Sequence, residues 1–126
     1  MPTARATRVN SHGWAIRLEF LGRTLIQEGR RDPAPLSAGE QPGCDVVIPG
    51  LGARILLTDG PHLLLPPGLA GEVTVGGEVR PVEALREAGG RVLFAPGDGA
   101  DLRVAAHPGI GLSIRRVTLD RLPWSA

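Results

Sequence analysis

Short apolar runs separated by glycine- and proline-rich turns constrain the fold of this chain more than any other feature. Eighteen glycines and twelve prolines are spread over 126 residues without a fixed period, which excludes a collagen-like repeat. Within the first run, Trp14, Ile16, Leu18 and Phe20 alternate with other residues, among them the charged pair Arg17 and Glu19. A period of two is typical of a half-buried strand, and it places all four apolar side chains on the core side.

The same reading along the chain predicts about ten short strands. After the first run, the expected strands are Thr24–Glu28, Leu36–Ala38, Val46–Ile48, Arg54–Thr58, His62–Leu65, Glu72–Val75, Glu78–Arg80, Arg91–Ala95, Leu102–Ala105 and Ile110–Ile114. Tight turns are predicted at Gly22-Arg23, Asp59-Gly60 and Gly76-Gly77. Only Val82–Ala88, preceded by a proline and followed by a glycine, has a helical pattern. The sequence therefore predicts an all-β antiparallel sandwich with one short helix.

The length favours a single domain. A chain of 126 residues is long enough for one core and too short for two. Residues 1–12 are polar and predict a disordered lead-in, residues 13–117 form the sandwich, and residues 118–126 are expected to be an irregular tail. Trp124 could fold back on the sheet.

Charge and composition exclude several classes of function. The net charge of +1 predicts no strong attraction to nucleic acid or to an anionic membrane. No apolar run is long enough for membrane insertion, and residues 1–13 lack the apolar core of a signal peptide. A single cysteine, Cys44, allows no internal disulfide. The expectation is a soluble cytoplasmic protein.

Residues with catalytic or metal-binding chemistry are isolated from one another. The histidines are His12, His62 and His107, and no cysteine or second histidine lies at metal-ligand spacing from any of them in the sequence. Cys44 stands beside an acidic residue, which favours a structural thiol. Asp98 and Asp101 lie in a GDGAD stretch that lacks the spacing of a calcium loop and predicts turn chemistry instead. We predict no catalytic residue, no metal site, no cofactor and no enzymatic activity.

The order of motifs resembles that of a forkhead-associated domain, a β-sandwich whose loops at one end bind phosphothreonine peptides. The resemblance covers residues 14–117. The segments that carry it are Leu36-Ser37-Ala38-Gly39-Glu40, Pro42-Gly43-Cys44-Asp45-Val46-Val47-Ile48-Pro49, Leu69–Gly77, Pro96-Gly97-Asp98 and Ile110–Arg115. The first two are similar to the family's Ile-Gly-Arg step and the Cys/Asn-Asp-Ile-x-Leu run that follows it. The resemblance implies a sandwich with a ligand-binding loop end.

The residues that bind phosphate in this family are replaced here. The family's arginine falls on Glu40, its Ser-x-x-His pair falls on Gly52–Leu56, and its asparagine falls on Ala70, next to Gly71. Glu40 reverses the charge and would repel a phosphate. The resemblance therefore implies a degenerate domain in which Asp45 caps or braces neighbouring amides.

A second resemblance involves the hairpin and helix VTVGGEVRPVEALREAG. This piece is similar to the amino-terminal domain of bacterial gliding-motility-associated proteins that carry an envelope-spanning module. It implies a cytoplasmic scaffold or signalling head that docks protein partners.

Three functions follow as expectations. The first is a non-catalytic protein-interaction module that docks a protein through an exposed strand edge or through its end loops, which are Gln41–Asp45, Gly50–Arg54 and Pro67–Gly71. The second is a phosphopeptide reader in which Arg54 or Arg23 replaces the lost arginine. The third is a small-ligand-binding sandwich, which the scarcity of aromatic residues disfavours. The predicted binding surface comprises Glu40, Gln41, Asp45, Arg54, Ala70 and Gly71. The sequence neither predicts nor excludes a homo-oligomer.

Overall fold

The computed structural model describes residues 12–31, 35–48, 51–52 and 55–118. These residues form twelve strands and one helix. The strands are β1 (His12–Phe20), β2 (Arg23–Arg31), β3 (Ser37–Gly39), β4 (Val46–Val47), β5 (Ile55–Leu56), β6 (Thr58–Asp59), β7 (His62–Leu64), β8 (Leu69–Val75), β9 (Glu78–Pro81), β10 (Arg91–Leu93), β11 (Gly99–Val104) and β12 (His107–Thr118), and the helix is α1 (Val82–Glu87). The predicted all-β fold with one short helix is confirmed.

One layer of the sandwich is a six-stranded sheet in the order β2-β1-β12-β11-β8-β9, with every pair antiparallel. The long strand β12 pairs with β1 from His12↔Thr118 to Phe20↔Ile110. Because this register is continuous, the buried faces of β1 and β12 coincide, and their apolar side chains form one side of the core.

The second layer consists of two three-stranded sheets, β4-β3-β5 and β10-β7-β6. Leu57 joins them: its N–H donates to the carbonyl of Leu36 at 2.7 Å, and its carbonyl accepts the N–H of Leu64 at 2.8 Å. Strands β3 and β4 pair in parallel, which the prediction of a wholly antiparallel sandwich did not include. The pair is parallel because residues 40–45 return to the start of β3 before β4 begins.

The core contains aliphatic side chains from both layers and two aromatic rings. Trp14 and Phe94 are 0% and 2% exposed, and their ring centroids lie 5.5 Å apart. The indole Nε1–H of Trp14 donates to the carbonyl of Gly60 at 3.0 Å. The guanidinium of Arg116, itself buried, lies 4.9 Å from the Trp14 ring centroid, within the range of a cation–π contact.

Phe20 is the exception to the predicted core face, since it is 46% exposed. It lies at the end of β1, beside the turn formed by Leu21 and Gly22, and the sandwich does not extend far enough to cover its ring. That turn begins one residue earlier than the predicted Gly22-Arg23 turn. The hairpin turn between β6 and β7 likewise lies at Gly60 and Pro61, one residue after the predicted position.

None of the helices in the described part of the chain is long and apolar enough to cross a membrane. The predicted lead-in and tail, including Trp124, fall almost wholly outside the described residues.

Candidate functional site at the loop end

Three loops meet at one end of the sandwich, and we call this region the loop end. They are residues 40–45 after β3, residues 51–52 from the connection between β4 and β5, and residues 65–68 between β7 and β8. The N–H of Glu40 donates to the carbonyl of Gly52 at 3.0 Å. A Cβ atom placed on Gly68 would lie 3.5 Å from Leu51 Cδ1. Residues 51–52 therefore contact both of the other loops.

Glu40 forms a second bond across the same gap. Its Oε2 atom accepts the N–H of Gly52 at 2.9 Å, and the contact is exposed to solvent. The Glu40 side chain is thus an anion bound to a backbone amide of the neighbouring loop. It closes the exposed part of the first loop, residues 40–43, which we call the tip.

Asp45 is bound more extensively. Its Oδ2 atom accepts the N–H of Ser37 at 2.9 Å and the hydroxyl of Ser37 at 3.0 Å, while the Asp45 N–H donates to the Ser37 hydroxyl at 3.1 Å. Its Oδ1 atom lies 2.7 Å from the guanidinium of Arg30 on β2. The resemblance implies that Asp45 braces neighbouring amides, and in the structure its carboxylate accepts one of them, the N–H of Ser37. These contacts tie the first loop to β3 and to the six-stranded sheet.

The environment of Asp45 shifts its titration. Burial alone raises the pKa of this carboxyl, but the hydrogen bonds from Ser37 and the charge of Arg30 lower it by more. The pKa of Asp45 is consequently held below its usual value, and the carboxylate remains ionised in mildly acidic solution.

Arg86, in helix α1, holds the third loop (residues 65–68) in place. The guanidinium of Arg86 donates to the carbonyls of Pro66 at 2.9 Å, Leu69 at 2.6 Å and Leu65 at 3.4 Å. The N–H of Leu65 donates to Gly90, just after α1. A single planar cation thus satisfies three carbonyls of a proline-rich turn, a geometry that suits arginine.

Ala70 and Gly71, predicted to be in the third loop, lie instead in strand β8, which begins at Leu69. Gly71 has φ +132°, and a Cβ atom there would overlap the carbonyl oxygen of Asp101 on β11. Glycine is required at this position because the two strands approach too closely for a side chain. Its role is in the sheet.

Of the remaining predicted site residues, the structure describes Gln41 but not Arg54. Gln41 is exposed at the tip, and its carbonyl accepts the N–H of Cys44 at 3.1 Å. Arg54 lies outside the described residues. Cys44 is buried with its thiol free, in agreement with a structural thiol.

Asp101, also predicted to have turn chemistry, lies instead in strand β11, whereas the prediction is confirmed for Asp98. Its carboxylate accepts the N–H of Ala95 at 2.9 Å and the N–H of Gly76 at 3.0 Å. It thereby connects the β10–β11 turn to the tip of the β8–β9 hairpin. Across the described ranges, no group of three or more His, Cys, Asp or Glu side chains is placed to hold a metal ion.

Sequence reasoning missed the partners that fix the loops. The sequence did not predict these contacts of Arg30, Ser37 and Arg86, because the fold and not a local motif brings each of them to its partner. A basic residue in the last turn of a helix is expected to bind that helix's own carbonyls, so the position of Arg86 in α1 did not predict its bonds to the β7–β8 turn.

No family model, no curated protein and no solved structure matches this chain.

Proposed function

We propose that this chain is a non-catalytic protein-interaction module, similar to a forkhead-associated domain, whose loop end docks an unphosphorylated protein segment. The observation that carries the proposal is the bond between the Glu40 carboxylate and the N–H of Gly52. A backbone amide at the tip, of the kind that binds phosphate oxygens, is already occupied by an anion of the chain itself. No cofactor and no nucleic acid enter the proposal.

Electrostatics supports the loss of phosphate binding. A phosphothreonine carries about −1.5 to −2 charges at pH 7. Two like unit charges 4 Å apart near a protein surface repel by about 4 kcal/mol. A phosphate at the tip would have to overcome this repulsion or displace Glu40 from Gly52.

The fixed geometry of the loops supports docking. Residues 40–45 are tied through Asp45, and residues 65–68 through Arg86. Exposed Gln41, Pro42 and Gly43 lie between these anchors. A surface that is already ordered loses less conformational entropy when a partner binds. The tip is therefore suited to recognising one shape without rearrangement.

Titration with a phosphothreonine peptide library and its unphosphorylated counterpart tests the proposal. We expect no saturable phosphate-dependent binding up to about 1 mM, the range of the weakest specific complexes. Saturable binding that is lost in the Arg54→Ala variant would replace the proposal with the phosphopeptide-reader alternative.

Site-specific photo-crosslinking tests the docking surface. A crosslinker at Gln41, on the exposed tip, should capture a partner that phosphatase treatment of the extract leaves unchanged. A crosslinker at Glu83, exposed on α1, is the matched control and should not capture it. Equal capture from both positions would rule out the loop end as the docking site.

The small-ligand alternative is not favoured. A cavity of about 270 Å³ is lined by aliphatic side chains and by Glu78 and Arg80, and none of its lining residues belongs to the loop end. It is smaller than the range of about 300–1,000 Å³ typical of small-molecule sites. The cytoplasmic location and the gliding-motility scaffold remain predictions.

A further inference from the structure

The two edge strands of the six-stranded sheet differ in how well they resist pairing with another strand. At one edge, β9 has four residues and ends at Pro81, which has no N–H to donate. A short edge strand and a proline both hinder the addition of a strand. At the other edge, β2 has nine residues, contains no proline and pairs only with β1 among the described strands. It is the edge that is open to a further strand.

The register of the sheet shows which backbone groups β2 directs outward. The N–H of Leu21 donates to the carbonyl of Gly109 at 2.9 Å, one residue beyond the end of the continuous β1–β12 register. Hydrogen-bonded positions alternate along an antiparallel pair, so the odd-numbered residues of β1 bond to β12 and the even-numbered residues bond to β2. Gln27 and Gly29 lie opposite odd-numbered residues of β1. Their N–H and C=O groups therefore point away from β1, to the open edge.

The inward face of the same segment carries two charged residues with unsatisfied atoms. Glu28 and Arg30 lie opposite buried residues of β1. The Oε2 atom of Glu28 and the Nε atom of Arg30 are buried and have no hydrogen-bond partner in the described part of the chain. Arg30 uses a different nitrogen, Nη2, in its pair with Asp45. A buried polar atom without a partner is unfavourable, so this face has one unused acceptor and one unused donor.

One pairing of two β2 strands satisfies the backbone and the side chains together. In an antiparallel pair about a two-fold axis at Gly29, this glycine lies opposite its own copy and Gln27 lies opposite Arg31. The outward N–H and C=O groups then bond to one another. The same register places Glu28 of each copy opposite Arg30 of the other, on one face of the sheet, where opposite charges attract.

A shifted register loses this match. A pairing centred on Gln27 also joins outward backbone groups, but it places Glu28 opposite Ile26, so the charge stays unpaired. Inward-pointing charges that stay unpaired disfavour strand addition. The β1–β2 register shifts after Leu18, and a bulge of this kind twists the edge, which favours pairing through the later part of β2. Charge complementarity thus selects the register centred on Gly29.

We propose that β2 pairs with β2 of a second copy of this chain about a two-fold axis at Gly29, joining two six-stranded sheets into one. Because both copies use the same strand, the contact is isologous and ends at a dimer. The net charge of +1 leaves almost no long-range repulsion between copies. The dimer does not use the tip of the loop end and stands independently of the proposed function.

The association is weak because a single strand pair is a small contact. It buries less than the 1,200–2,000 Å² or so of a stable complex, and we expect a dissociation constant of about 0.1 mM. Sedimentation equilibrium of the full chain between about 10 μM and 1 mM should show a mass that rises from that of the monomer towards that of the dimer and no further. A monomer at the highest concentration, or a mass beyond the dimer, would overturn the proposal.

Amide hydrogen exchange locates the contact. The N–H of Gly29 has no partner strand in the monomer and is bonded in the dimer. It should therefore exchange about fourfold more slowly at 1 mM than at 10 μM, as the monomer fraction falls. Val79, in the other edge strand β9, is the matched control and should exchange equally at both concentrations. Association that leaves the exchange at Gly29 unchanged would place the contact elsewhere and overturn the proposal.

Charge reversal tests the register. Glu28→Arg brings two cations opposite each other and should be monomeric, whereas Glu72→Arg, the same change at an exposed position of β8, should dimerise as the wild type does. Arg30→Glu should also be monomeric alone. An equimolar mixture of Glu28→Arg and Arg30→Glu should restore the dimer, because each pair again joins opposite charges.

A proline variant keeps the test decisive if either charge variant fails to fold. Gln27→Pro removes an outward N–H and leaves the bonds to β1 in place, since prolines are tolerated on edge strands at such positions, and it should be monomeric. Undiminished association of a folded Glu28→Arg or Gln27→Pro, or a folded mixture that stays monomeric, would overturn the proposal.

Discussion

The binding surface predicted from the sequence divides into two regions with different physical roles. Asp45 and Gly71 belong to a framework region, where a carboxylate with several donors and a close strand contact hold the architecture. Glu40 and Gln41 belong to the tip, where a single side-chain bond reaches across an exposed gap. The difference teaches that residues predicted to form one surface have two physical roles, since some support the fold and others close the loop end.

The largest difference in stability is expected between alanine substitutions at one glycine of each region. Gly71→Ala should destabilise the protein by about 3 kcal/mol, because the new Cβ overlaps a β11 carbonyl and the φ of +132° is unfavourable for alanine. Gly43→Ala at the tip is the matched control, since no atom lies within 4 Å of its added Cβ. Urea unfolding of both variants measures the difference in stability. Equal unfolding midpoints would show that Gly71 does not support the framework.

Asp45→Asn is expected to have the next largest effect. Loss of the charge weakens the bonds from Ser37 and leaves Arg30 without its carboxylate partner, at a cost of about 2 kcal/mol. Asp59→Asn is the control, because Asp59 pairs with Arg91 in an exposed contact that is worth less than about 1 kcal/mol. A similar loss in both variants would show that Asp45 is no more than a surface charge.

The contribution of Asp45 should depend on pH. Its folded pKa is lowered, so the stabilisation is fully present above the unfolded value of about 3.9 and is lost as the pH falls through the folded pKa. The gap in unfolding free energy between the wild type and Asp45→Asn should therefore narrow with acidification. Denaturant titrations from neutral to strongly acidic pH measure it, and a constant gap would assign the effect to packing alone.

The sequence predicted the strands better than the contacts that hold them together, for a physical reason. Alternating apolar residues mark the strands because burial selects every second side chain, and this signal is local. Phe20 follows the alternation yet lies beyond the cover of the second layer, and Ala70 and Gly71 read as a loop although β11 holds them in a strand. The partners of Asp45 could not be predicted, since Arg30 is brought near by the fold and not by its spacing in the chain.

Glu40→Gln should have the smallest effect on stability, below about 0.5 kcal/mol. The amide oxygen of glutamine can accept the N–H of Gly52 in place of the carboxylate, and the backbone bond from Glu40 to Gly52 is retained. Thermal unfolding compared with Asp45→Asn measures the contrast. If Glu40→Gln lowered the stability as much as Asp45→Asn does, the negative charge at the tip would support the fold. The distinction between framework and tip would then be wrong. If Glu40→Gln is neutral, folding does not need the carboxylate, and its negative charge is free to serve binding at the exposed tip.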